Sequence, residues 1–135
     1  MIVGTEAIPM RFTLLMYYAE QGDTGLSDEE MAPWRDAFDR YGRELDDAGI
    51  LIAAEVLQPS SESAIYRVRD GQREDLVGVL SDDPEKLGGF FVIDAHDPAA
   101  ALAWAEKCPA AQWGTIEIRP TAVSWSHGEG WHEPN

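Results

Sequence analysis

The chain is expected to fold as a single α+β domain on a split βαβ plan, in the order strand, helix, strand, inserted hairpin, strand, helix, strand. Three stretches predict this. Residues 11–17 alternate apolar side chains and lead into a capped amphipathic helix. Ile50–Leu57 is a nearly continuous apolar run. Leu87-Gly88-Gly89-Phe90-Phe91-Val92-Ile93-Asp94 couples two glycines to a short apolar strand, and Asp97-Pro98 then starts a second helix.

A chain of 135 residues provides for one domain, which at this size buries roughly two thirds of the surface its unfolded form exposes. With 44% hydrophobic residues the composition is a folding one. The net charge of −15 repels phosphate backbones and anionic lipid, which excludes nucleic acid and membrane surfaces as expected partners. Its plain reading is a well-solvated surface. One cysteine, Cys108, cannot close an intrachain disulfide, and no secretory leader or spanning segment is evident, so the cytoplasm is the expected compartment.

Along the chain, residues 1–9 have weak periodicity and read as a leader outside the core. In the first strand, Phe12, Leu14 and Met16 share one face and Thr13, Leu15 and Tyr17 the other. Ser27 to Glu30 is a capping box, so a helix starts there. Pro33 lies too deep for its first turn, which predicts either a separate first turn or a restart with Pro33 near N1. Trp34, Phe38, Tyr41, Leu45 and Ala48 form the buried stripe, and Gly49 ends the helix. Burying the four large members is worth on the order of 6–12 kcal/mol gross, so this stripe must face a sheet.

Ile50–Leu57 (ILIAAEVL) reads as a strand covered on both faces, with Glu55 as its oddity. Asp70-Gly71 turns a more exposed hairpin between residues 63–69 and 72–80. Ser81-Asp82-Asp83-Pro84 carries helix-start chemistry ahead of the central strand. The second helix runs to about Lys107 with Leu102, Ala105 and Cys108 inward, Pro109 stops it, and Thr115–Arg119 is the last strand. Ser124–Asn135 holds Trp125, His127, Trp131 and His132 without periodicity and reads as a flexible or partner-bound tail.

Two helices on one side leave a sheet whose central strands are apolar on both faces. The economical cover for the other face is a second copy, so a homodimer enclosing a shared interior is expected. Alternation places Glu55 in that interior if Ile50, Ile52, Ala54 and Val56 contact the helices, and Tyr17 and Arg119 look the same way. A phenol, a carboxylate and a guanidinium suit a small polar or anionic ligand, with Glu55 as general base. The other reading of Glu55 is a structural carboxylate held by Arg67, Arg119 or backbone N–H groups. No cofactor or metal is called for: His96 stands alone near a strand end, and His127 and His132 sit in a glycine-rich tail that fixes no ligand geometry. Cys108 reads as core, and Gly88-Gly89 enters a strand, so it is backbone geometry and not a phosphate loop.

Met10–Tyr17, Ala48-Gly49-Ile50-Leu51, Glu55-Val56-Leu57-Gln58-Pro59, Leu87–Asp94, Ala103–Pro109 and Ile116-Glu117-Ile118-Arg119-Pro120 resemble, in order and spacing, the YCII-related family. The likeness is greatest to its branch named for an Asp-Gly-Pro-Phe motif and covers Met10 to about Val123. The resemblance implies a ferredoxin-like fold assembled as a dimeric α/β barrel. It implies no settled activity: a histidine and aspartate pair is proposed as an active site in some members, one relative is linked to dehydrochlorination, and the branch often accompanies extracytoplasmic-function sigma factors. Here the motif falls on Val77-Gly78-Val79-Leu80 and keeps only its glycine, and no histidine precedes His96. The two functions to weigh are therefore a small-molecule-binding barrel, with lyase- or isomerase-type chemistry, and a non-catalytic regulatory or interaction protein.

Overall fold

The computed structural model describes residues 10–20 and 27–134; the expected leader at 1–9 and most of the connection after the first strand lie outside them. Four antiparallel strands, β1 (Met10–Ala19), β2 (Leu51–Val56), β5 (Glu85–Ala95) and β6 (Gly114–Pro120), form one sheet in the order β2-β5-β1-β6. Helices α1 (Asp28–Asp47) and α2 (Pro98–Lys107) pack on one face of it. The architecture is α+β and compatible with a ferredoxin-like fold. Between β2 and β5 stands the expected hairpin, β3 (Ile65–Arg69) and β4 (Gln72–Leu76), turned at Asp70-Gly71.

The β1 alternation holds: Phe12, Leu14 and Met16 are buried, and the register sets Phe12 against Ile93 and Leu14 against Phe91. Tyr41, Leu45, Ala101, Ala105 and Cys108 close this core from the helix side. Tyr41 ties the two helices together by donating to the Trp104 carbonyl at 2.8 Å, with its ring edge-on to Phe91 at 5.1 Å. Burial pushes the Cys108 thiol up to about 11, so at neutral pH it is a protonated core side chain beside Met16.

Several expectations are corrected. Ser27 and Glu30 form the capping box, but α1 runs unbroken through Pro33. The bond that proline cannot make would have used the Glu29 carbonyl, and both residues are exposed, where water satisfies an early-turn carbonyl. Ala48 is exposed. In α2, capped by Asp97 through the Ala100 N–H at 2.8 Å, the inward residues are Ala101, Ala105 and Cys108, while Leu102 is 49% exposed. Small side chains let the helix lie close to the sheet, and Leu102 falls about 100° away from that line. Ser81-Asp82-Asp83-Pro84 starts no helix. Instead Asp83 caps the start of β5 by accepting the Glu85 N–H at 2.9 Å.

The tail is also ordered differently from expectation. Strands β7 (Ser124–Ser126) and β8 (Gly130–His132) form a small hairpin whose Trp125 and Trp131 rings meet edge-to-face at 5.6 Å. Strands of three residues are too short to show a period. In the single chain β2 is an exposed edge strand and not a covered one, with Val56 at 74%. An irregularity between Leu51 and Ala53 sets Leu51 against Ile93, so Leu51 joins the helix face and leaves the face of Glu55.

Candidate functional site

The N-terminal half of the α1 stripe is only partly buried. Trp34 and Phe38 wall a cavity of about 580 Å³ that opens between α1, the ends of β1 and β2, and the start of β5. Its remaining apolar lining includes Met16, Tyr18, Met31, Leu57, Leu87 and Trp113, with Glu20, Arg35 and Gln58 as polar members. Size and composition match a small-molecule pocket.

Of the two glycines of the central strand, Gly88 lines the pocket floor and Gly89 sets the close approach of β2 beside it. A Cβ on Gly88 would lie 2.1 Å from Cζ of Tyr18, so only glycine leaves room for that ring. The Gly88 carbonyl accepts from Tyr18 Oη at 3.0 Å and from the Leu57 N–H at 2.8 Å, which fixes the phenol and the end of β2 together. On Gly89 a Cβ would stand 2.5 Å from the Glu55 carbonyl oxygen and 2.9 Å from Met16 Cε. Alternation along β1 puts Tyr18 on the helix face with Met16, and the register slip between Met16 and Tyr17 leaves Gly88 as the extra residue of β5 opposite it.

Trp113 holds the walls together: its ring meets Tyr18 at 4.9 Å, Trp34 at 5.6 Å and Phe38 at 6.2 Å, all near edge-to-face. Pairs of this kind contribute about 0.5–1.5 kcal/mol each beyond area burial. The Trp113 Nε1 donor is fully buried without a hydrogen-bond partner among the described residues. At the rim Glu20 accepts from the Ser60 N–H at 2.7 Å and from the Ser60 hydroxyl, and these bonds hold its carboxyl below the usual range. They also clamp the start of the hairpin insertion to the end of β1. Burial raises the Tyr18 phenol.

Tyr17, Glu55 and Arg119 lie elsewhere, on the helix-free face of the sheet. The register runs Glu55, Phe90, Leu15, Glu117 in one row and Ala53, Val92, Thr13, Arg119 in the next. Strand spacing puts Glu55 about 12 Å from Tyr17 and about 16 Å from Arg119, so one chain does not bring the three into contact. Tyr17 donates to Glu117 at 3.1 Å, and desolvation together with that bond raises its phenol. Neither Arg67 nor Arg119 holds Glu55: Arg67 pairs with Glu74 across the hairpin at 2.8 Å, and Arg119 lies at the opposite sheet edge. His96 is exposed, and Val77, Val79 and Leu80 lie exposed around Gly78, whose φ of 99° favours glycine.

A family model described as YCII-related domain matches residues 10–124, which takes in the whole four-stranded sheet and both helices. The chain belongs to the YCII-related family. No curated protein matches it. Membership agrees with the α+β fold and assigns no reaction. Among the described residues, no helix of this YCII-related protein is long and apolar enough to cross a membrane. Of the two tryptophans that dominate the pocket, Trp34 was legible in the sequence only as core, and Trp113 falls between the second helix and the last strand with no pattern to mark it. The available signal was Gly88-Gly89: two glycines inside a strand mark a place where other groups come close.

Proposed function

We propose that this YCII-related protein binds a small molecule with an apolar body in the cavity between α1 and the sheet, and that it does so as a homodimer joined through the helix-free sheet face. The observation that carries the first part is the aromatic-walled cavity itself, with Tyr18 fixed over Gly88 as its floor. Its ionisable walls suit binding more than proton transfer. Tyr18 is raised and Glu20 lowered, so neither changes charge near neutral pH. The test is a thermal-shift screen of small molecules against wild type and Leu57→Trp. Leu57 lies on the lining at 42% exposure, so an indole there fills space without removing core. A ligand present at a hundredfold its Kd stabilises the wild type by about 2.7 kcal/mol. Leu57→Trp is expected to keep its fold and lose that response; an equal response in both would refute the site.

The helix-free face favours a second, compatible activity. Leu15, Phe90 and Val92 lie at its centre with no helix over them, and Tyr17, Glu55 and Arg119 stand around them. A second copy packed there encloses all three and brings groups of opposite chains nearer than one chain allows. We assign lyase- or isomerase-type chemistry to that interior, with Glu55 as base and Tyr17 or Arg119 stabilising the developing charge. Glu55→Gln should then abolish turnover while the dimer persists. Unchanged turnover in that variant removes Glu55 from any reaction.

A further inference from the structure

We propose that the ligand of the α1 pocket is an organic cation, an amine or quaternary ammonium head on an apolar group of about aromatic-ring size. This rests on the pocket reading above and adds the sign of the ligand's charge. Tyr18, Trp34, Phe38 and Trp113 all line or build the cavity. The faces of such rings carry the negative end of a quadrupole and attract cations, most strongly where water is excluded. The cage is pre-organised, because the Tyr18 hydroxyl is spent on the Gly88 carbonyl and Trp113 is braced by three rings.

The charged groups agree with that sign. Glu20 lines the cavity as a carboxylate, and its two bonds to Ser60 use about half of its acceptor positions while leaving its charge in place. Of the two cations nearby, Arg35 on the lining pairs with Asp28 at 3.5 Å, and Lys86 lies outside the lining, its ammonium turned to the Ser81 and Asp83 carbonyls. Trp113 Nε1, the donor that would welcome an anion, is buried and closed off from the open cavity. A net charge of −15 adds long-range attraction for cations and repulsion for anions.

Three benzyl compounds test the proposal by calorimetric titration of the full chain: benzyltrimethylammonium, its uncharged isostere neopentylbenzene, and the smaller anion phenylacetate. Benzyltrimethylammonium is expected to bind about tenfold tighter than neopentylbenzene, and phenylacetate the weakest of the three. Glu20→Gln and, separately, Trp34→Leu should each reduce the ratio of cation to neutral affinity by several-fold. Equal or tighter binding of neopentylbenzene would overturn the charge assignment while sparing the pocket, as would tightest binding of phenylacetate. Binding by none of the three would overturn both.

Discussion

Gly89→Ala is expected to cost about 3 kcal/mol of stability, the upper end of what overpacking a finished core costs. The added methyl has nowhere to go. One neighbour is the Glu55 backbone carbonyl oxygen at 2.5 Å, which cannot swing aside as a side chain would, and the other is Met16 Cε at 2.9 Å inside the core. Relief requires β2 to move away from β5, and β2 ends at Val56 on the pocket wall with Leu57 following it there. Gly42→Ala supplies the contrast. Gly42 lies in α1 with nothing within 4 Å of where a Cβ would stand, so alanine there should stabilise by up to about 1 kcal/mol through helix propensity. Urea unfolding of both variants measures the difference, and equal midpoints would show that the β2–β5 approach is not as close as described.

If two copies join through the helix-free face as proposed, Phe90→Glu should leave single chains. Phe90 stands between Glu55 and Leu15 at the centre of the helix-free face, so isologous packing through that face would bury it in both subunits at once. The substitution would bury an unpaired carboxylate in each subunit, and the lost hydration costs several kcal/mol and weakens association a hundredfold or more. The side chain is only partly covered in one chain, so the fold should survive the change. Sedimentation at about 10 μM is expected to give twice the 14.9 kDa chain mass for wild type and the single mass for Phe90→Glu. A wild type that sediments at the single mass would contradict the dimer and take the enclosed Tyr17, Glu55 and Arg119 interior with it.

Features governed by neighbouring residues were legible in the sequence. The capping box at Ser27 and Glu30, the Asp97-Pro98 helix start, the Asp70-Gly71 hairpin and the β1 alternation each follow from local chemistry, and each is present. Features set by long-range fit were not. Ala101 displaces Leu102 from the core because α2 lies close to the sheet, and that distance is a property of the packed layers. Pro33 is tolerated because its side of α1 faces water. The pocket needs Trp34, Gly88 and Trp113 together, residues separated by 54 and 25 positions, and no local pattern relates them. Alternation correctly put Tyr17, Glu55 and Arg119 on one sheet face, yet it carries no information about their spread across four strands.

Ligand binding on the helix side of the sheet is what the α1 pocket and its preference for a cation both require. Amide and indole NMR spectra of the labelled protein, recorded as benzyltrimethylammonium or neopentylbenzene is added, test it directly. Shifts are expected at the Trp34 and Trp113 indoles and the Gly88 amide, with Leu15, Phe90 and Val92 unmoved. Shifts confined to those three helix-free-face amides, with both indoles silent, would contradict it.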